Sequence, residues 1–214
     1  MKIAFFGGTF DPIHVGHLEA ARAARRRFGL GRVLFVPAGH PPHKRAGNLA
    51  PFEHRFAMVS IACAGEPRLV PSFLEAPGRG VRYSVDTVRE LKKSLGSRDR
   101  LYFLIGVDAF LDLPNWKQPE RLLDETDFII VSRPGFPIES ILSVIPRRMI
   151  QAAPGRKRTG TIALRRSEVH LLNGVDVPVS SSDLRAALRK GRSVAGLIPP
   201  LVEEYIMKEG VYRT

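Results

Sequence analysis

The sequence predicts an α/β protein built on a doubly wound parallel sheet, with helices on both faces and a small helical part at the C-terminal end. Short apolar runs rich in β-branched or aromatic residues alternate with helical stretches, the runs lack apolar–polar alternation, and a glycine-containing segment follows the first run directly. Runs without alternation are what strands show when helices cover both faces of a sheet, and strand–helix alternation calls for right-handed crossovers.

In chain order, Ile3–Phe6 reads as the first strand. Gly7-Gly8-Thr9-Phe10-Asp11-Pro12-Ile13-His14-Val15-Gly16-His17-Leu18 follows it and opens a helix over His17–Phe28. Gly7 and Gly8 lack Cβ, so a tight glycine turn is expected there, bringing bare N–H groups to an anion at the helix N-terminus. Val33–Val36, Leu101–Ile105 and Phe128–Val131 read as further strands, and Glu53–Ala64, Ser84–Leu95 and Glu120–Asp124 as helices. Gly155–Arg166 is basic and poor in large apolar residues, which suits a loop or covering hairpin, and Val169–Leu172 a late strand. Leu184–Leu188 and Pro199–Glu209 are helical in pattern, with Gly210 as a stop. In such a Rossmann-like order, ligands sit beyond the carboxyl ends of the strands. Gly7, the stretch from Pro37 to His43, Gly106 with Asp108, and Arg133 all follow strands.

With 214 residues the chain can bury a sizeable core, and residues 1–214 are read as a single domain. No apolar run approaches the roughly 18 residues a membrane helix needs. Cys63 stands alone, so neither a disulfide framework nor a cysteine zinc site is expected. A cytoplasmic location fits. Lys and Arg exceed Asp and Glu by 33 to 21, a formal charge of +12. The basic residues are scattered and not interleaved with aromatics, which disfavours nucleic acid as the main ligand and favours small polyanions drawn into a positive cleft.

Two motifs carry the chemistry. His14 and His17 lie three apart on one face of the helix opening, with Gly16 between them to leave room for a ligand. Neither G-x-x-x-x-G-K-[ST] nor G-x-G-x-x-G is present, which argues against an ordinary kinase, GTPase or dinucleotide dehydrogenase. No H-E-x-x-H pattern or third ligand accompanies the histidines, so phosphate is favoured over a metal. The second motif is Val179-Ser180-Ser181-Ser182-Asp183-Leu184-Arg185. Capping the helix uses one serine and leaves two over, so spare hydroxyls and Arg185 in the first turn make a second anion site.

GGTFDPIHVGHL together with SSSDLR resembles the nucleotidylyltransferase superfamily, with its H-x-G-H and S-S-T-x-I-R-like signatures. More narrowly, the chain is similar to the bacterial nicotinate-nucleotide adenylyltransferases. Pro41-Pro42-His43-Lys44, Tyr83-Ser84-Val85-Asp86-Thr87, Phe103 to Asp108, Leu113-Pro114-Asn115-Trp116, Ser132-Arg133-Pro134-Gly135 and Gly210-Val211-Tyr212-Arg213 carry that likeness. Ser182 stands where threonine is usual and Leu184 where isoleucine is.

The resemblance implies adenylyl transfer from ATP to nicotinate mononucleotide, with Mg²⁺ carried mainly on ATP oxygens and no dedicated metal cage. It implies catalytic roles for His14, His17 and Arg185. ATP contacts are expected from Gly7, Gly8, Thr9, Phe10, Gly106, Asp108, Ser181 and Ser182. Mononucleotide contacts are expected from Asp11, Lys44, Ser84, Val85, Trp116, Lys117 and Arg133. The Ser84 and Val85 N–H groups, opening a helix, suit a carboxylate, and Trp116 can stack on a pyridinium. An adenylyl- or cytidylyltransferase acting on another phosphate acceptor, such as phosphopantetheine, uses the same machinery and stays open, as do a basic nucleic-acid-binding protein and homo-oligomerisation.

Overall fold

The computed structural model describes residues 1–39, 41, 49–80, 83–132, 137–151, 160–175 and 177–212. Seven strands form one sheet in the order β3-β2-β1-β4-β5-β7-β6. They are β1 (Lys2–Gly8), β2 (Arg32–Pro37), β3 (Leu69–Pro71), β4 (Arg100–Gly106), β5 (Asp127–Val131), β6 (Thr161–Ala163) and β7 (Glu168–Leu172). All neighbours run parallel except β6, which pairs antiparallel with β7. Short β3 and β6 lie at the two edges; β3 has no counterpart in the sequence reading, and β6 falls in Gly155–Arg166, expected as a loop or covering hairpin, where it pairs antiparallel with β7. Three residues each is too little for a hydrophobic pattern to register, and their pairing partners define them.

Among the described residues, eight α-helices cover the sheet: α1 (Val15–Phe28), α2 (Phe52–Cys63), α3 (Ser84–Lys93), α4 (Val107–Leu111), α5 (Pro119–Glu125), α6 (Ile138–Val144), α7 (Ser181–Arg189) and α8 (Pro200–Lys208). The strands explain the absence of alternation in the sequence. Ala4 and Phe6 of β1, Leu104 of β4 and Ile129 of β5 join a buried cluster with α1, α2, α7 and α8. Phe5, Phe103, Ile105, Phe128 and Ile130, the intervening positions, join a second cluster with α3, α4, α5 and α6. Each strand is thus apolar on both sides, and burial of both sets is the main stabilising term.

After β1 the chain winds outward through β2 to β3, then returns to β4 on the other side of β1. The carboxyl ends of β1 and β4 therefore flank the crevice where the winding reverses, the place such sheets reserve for ligands. α1 opens there. It ends at Gly29, whose φ of 64° is left-handed, and Arg25, Arg26 and Arg27 in its last turn complement the helix dipole.

Gly39, just beyond β2, packs backbone against backbone: a Cβ there would lie 1.9 Å from the Glu75 carbonyl oxygen. Nothing at either atom can swing away, so Gly39→Ala should lower the unfolding free energy by more than about 2 kcal/mol in denaturant titration. Gly65→Ala meets no atom within 4 Å. As the control it should change stability by less than about 0.5 kcal/mol.

Candidate functional site

The Gly7–Leu18 segment differs from the expected glycine turn. β1 runs through both glycines, with Gly7 paired to Val36 and Gly8 to Pro37. The chain turns afterwards, at Phe10, whose φ of 50° is left-handed, and across a cis Asp11–Pro12 peptide. The glycines are needed for aromatic packing: Cβ atoms there would come 3.3 Å from the Phe103 ring and 3.0 Å from the Phe10 ring. Phe10 is buried, with its ring against Phe6, Phe35 and His17.

His14 caps α1 and His17 is its third residue, so both imidazoles stand at the helix N-terminus, stacked with centroids 3.7 Å apart. The His14 backbone N–H donates to His17 Nδ1 at 3.3 Å, which leaves Nε2 as the proton-bearing nitrogen of His17. His14 is buried, its Nδ1 has no hydrogen-bond partner among the described residues, and burial lowers its pKa from 6.5 to about 4. The ring is neutral at physiological pH. Gly16 serves the ring and not ligand room: a Cβ would sit 3.1 Å from His14 Nδ1 and 3.1 Å from Val179 Cγ1.

The second motif arrives from the C-terminal part and docks on this turn. Ser180 is the cap of α7, accepting from Asp183 N at 3.1 Å. Ser181 Oγ donates to the Pro12 carbonyl at 3.0 Å, while Ser182 Oγ accepts from Arg185 at 3.3 Å. Arg185 also donates to the Asp11 carbonyl at 2.7 Å. The hydroxyls left over by capping therefore brace the motif, and Arg185 is held by two oxygens at the helix opening.

Asp11, expected to touch the mononucleotide, is fully buried inside the protein. Its Oδ1 accepts from the Ala50 N–H at 3.2 Å and from the Tyr212 hydroxyl at 2.7 Å, and Arg185 lies 3.6 Å from Oδ2. Buried Arg55 completes the knot by donating to the carbonyls of Thr9 at 2.9 Å and Ala50 at 3.0 Å. Burial and the Asp11 charge together push the Tyr212 hydroxyl far above the usual phenol range. Asp11 Oδ1 is thus taken up by protein donors, while Oδ2 has the Arg185 guanidinium nearby but no hydrogen bond among the described residues.

Between β1, α3 and the turn after α4 lies a cavity of about 240 Å³. Among its lining residues, Gly7, Gly8, Thr9, Ser84, Trp116 and Lys117 were expected. Tyr83 is the cap of α3 and Ser84 its first residue. The first intrahelical donors, Asp86 N and Thr87 N, both bond the Tyr83 carbonyl, so the Ser84 and Val85 N–H groups precede them in the opening turn. The Val85 side chain is buried in the core. Trp116 Nε1 donates to Asp112 at 3.2 Å, which fixes the indole in the wall. The Lys117 ammonium stands 4.2 Å from the Tyr83 ring centroid and 3.8 Å from Asp86. Gly106 ends β4, and Asp108 is exposed in the first turn of α4, outside the cavity lining. Lys44 and Arg133 lie outside the described residues.

Sequence reasoning missed Glu75, Tyr83, Phe103 and Asn115, which also line the cavity. Three of them sit inside motif stretches quoted above but carry no distinctive chemistry in one dimension. Glu75 sits alone in a loop, and only folding brings it to Thr87, whose hydroxyl donates to Oε1 at 2.6 Å. Burial raises the Glu75 pKa to about 7. The site thus has two parts, the cavity and the histidine–α7 cluster, joined by the segment after β1.

A family model described as cytidylyltransferase-like matches residues 5–187 of the chain. A Thermus thermophilus protein named as a probable nicotinate-nucleotide adenylyltransferase is 41% identical over 214 residues, covering 100% of both chains. One of the same name from Moorella thermoacetica is 38% identical over 212 residues, covering 99% of this chain and 92% of its own. The solved structure of Plasmodium falciparum nicotinic acid mononucleotide adenylyltransferase complexed with NaAD matches with a TM-score of 0.74 at 25% identity, covering 99% of this chain and 97% of that one.

Two measurements test this geometry. Tyr212→Phe leaves the buried Asp11 carboxylate short of a donor, and should lower stability by about 1–3 kcal/mol in denaturant titration. The folded protein holds His14 at about 4 against 6.5 when unfolded, so its contribution is full above pH 6.5 and drains away as pH falls toward 4. The thermal midpoint of His14→Gln should therefore fall less steeply than that of the parent across this window.

Proposed function

Because this chain belongs to the cytidylyltransferase-like nucleotidylyltransferases, and within them to the nicotinate-nucleotide adenylyltransferases, we propose that it joins ATP to nicotinate mononucleotide, forming nicotinate adenine dinucleotide and pyrophosphate. The observation that carries this reading is the adjacency of a ring-sized cavity, walled by Trp116 and opening at the α3 N-terminus, to the stacked histidine pair on the segment after β1. The first suits the pyridine carboxylate, the second the phosphates of ATP.

In the reaction, an oxygen of the mononucleotide phosphate forms a bond to the α-phosphorus of ATP, while the bond from that phosphorus to the bridging oxygen breaks and pyrophosphate leaves with the electron pair. A phosphate monoester with a second pKa near ~6 is mostly dianionic at neutral pH, so no strong general base is required. The obstacle is one anion approaching another, and the remedy is positioning with electrostatic stabilisation. His17 offers Nε2–H to the phosphates, and neutral His14 stacks behind it. Arg185, with Ser181 and Ser182, receives the departing pyrophosphate at the α7 N-terminus. Backbone groups of Gly7, Gly8, Thr9 and Phe10 line the path between the two nucleotides, and Gly106 and Asp108 border the adenosine.

On the other side, the Ser84 and Val85 N–H groups receive the nicotinate carboxylate, Trp116 stacks on the pyridinium, and Lys117 adds positive charge. Lys44 and Arg133 are proposed for the mononucleotide phosphate from sequence. Asp11 is proposed to hold Arg185 and the turn in place. ATP arrives as its Mg²⁺ complex. The metal is proposed to be carried mainly by the ATP phosphate oxygens and water. No helix among the described residues is long and apolar enough to cross a membrane. We place the enzyme in the cytoplasm, acting as a single domain.

The test is pyrophosphate release from MgATP with nicotinate mononucleotide, nicotinamide mononucleotide and phosphopantetheine supplied separately. Release is expected to be fastest with nicotinate mononucleotide; preference for phosphopantetheine would replace the substrate assignment. His17→Ala should lower kcat at least ~100-fold with little change in the fold by circular dichroism, the magnitude of losing a donor to developing charge.

A further inference from the structure

One carboxyl group in the cavity has no part in the chemistry above. Glu75 reaches the wall from the loop after β3, and its backbone is pinned there by the close approach of Gly39. Its Oε1 accepts from the Thr87 hydroxyl at 2.6 Å, and Thr87 is itself buried one turn into α3, the helix whose first residue, Ser84, lines the same cavity. The carboxyl is therefore tied to the structure that receives the substrate's ring substituent. Among the described residues, the other titratable groups on the cavity wall are Tyr83, at the α3 cap, and Lys117, from the turn after α4. Lys117 is directed to the Tyr83 ring and to Asp86, 3.8 Å away, so its charge is shared with another carboxylate. Glu75 itself takes only a neutral hydroxyl as donor among its described hydrogen bonds.

We propose that Glu75 sets the preference of the cavity between the acid and amide forms of the pyridine mononucleotide: as a neutral acid it admits the substrate's carboxylate, and as an anion it opposes that carboxylate while leaving the neutral amide unaffected. The proposal rests on the reading that this cavity takes the pyridine ring. Burial places the Glu75 transition at about 7, inside the range where an enzyme of this kind works. The sign follows directly. Below that pH the group is neutral and acid preference is high; above it the group is charged and acid preference falls. A nicotinate carboxyl, an ordinary carboxylic acid, is ionised across this whole range.

The experiment is the ratio of kcat/KM for nicotinate mononucleotide over nicotinamide mononucleotide, measured with MgATP as a function of pH. The ratio cancels every titration common to the two reactions, including the mononucleotide phosphate and His14. It should fall roughly tenfold between about pH 6 and about pH 8.5, the scale of one like-charge contact in a partly buried site. Glu75→Gln should make the ratio independent of pH. Thr87→Val removes the hydrogen bond that favours the ionised form and should move the midpoint of the fall to higher pH. It also serves if the glutamine variant does not fold. A flat ratio in the parent protein, a Glu75→Gln ratio that still falls, or a midpoint unmoved in Thr87→Val overturns the role of Glu75 while leaving the reaction intact. Absence of turnover with both mononucleotides overturns the reaction itself, and the inference with it.

Discussion

The site depends on one buried carboxylate. Taking an ionised carboxylate out of water costs several kcal/mol unless partners surround it. Asp11 has partners from far apart in the chain: the Ala50 N–H before α2, Arg185 in α7 and Tyr212 beyond α8. Each satisfies part of the charge, so the turn after β1, the start of α2, the opening of α7 and the C-terminal segment are held to one another. Arg55 adds to the same knot through two carbonyls of the turn. A residue that reads from the motif as a ligand contact is, by its bonds in the fold, also an anchor for the turn that carries His14 and His17.

That anchor explains why the two motifs, so distant in sequence, meet. α7 is placed by Leu184 in the core cluster shared with the strands and by polar bonds to the Asp11 and Pro12 carbonyls. Arg185 thereby faces the end of α1 where His14 and His17 stand. The dipoles of two helices and one guanidinium converge there, an arrangement suited to stabilising phosphate charge. Neutral His14, kept so by burial, adds no repulsion to its stacked neighbour and lets the backbone N–H fix the tautomer of His17. Across the turn, the cavity beside Trp116 is lined mainly by apolar groups, a setting that suits a planar ring better than a polyanion. A reaction that brings two nucleotides phosphate to phosphate needs those two environments side by side, and the reversal of winding between β1 and β4 supplies the space.

Much of this was legible in one dimension. β1, β2, β4, β5 and β7 stood out as apolar runs, because both faces of a central strand are buried and the pattern is strong. α1, α2, α3, α5, α7 and α8 followed from periodicity, with ends a few residues from those expected. α4 and α6 were missed: five and seven residues are too short to show a period. The two glycines were read as a turn on general grounds. In the structure they continue the strand, because Phe103 and Phe10 need the space, and such packing is not written in local sequence. Gly16 was correctly singled out, but its neighbour is the His14 ring. The part of Gly155–Arg166 within the described residues provides an antiparallel edge strand, β6, and that edge is read from its pairing with β7.

Residue order alone is enough for the α/β class, the strands at the centre of the sheet, the two motifs at helix openings and the family to which their combination belongs. These are properties of residue type and spacing, set by short-range sterics and the period of burial. Tertiary structure alone decided that Asp11 faces inward, that Ser181 and Ser182 brace the loop, and that Glu75 joins Thr87 in the wall of a cavity next to Ser84 and Trp116. Each of those depends on contacts between groups from different elements, and the charge or burial of a side chain follows from what folding sets beside it.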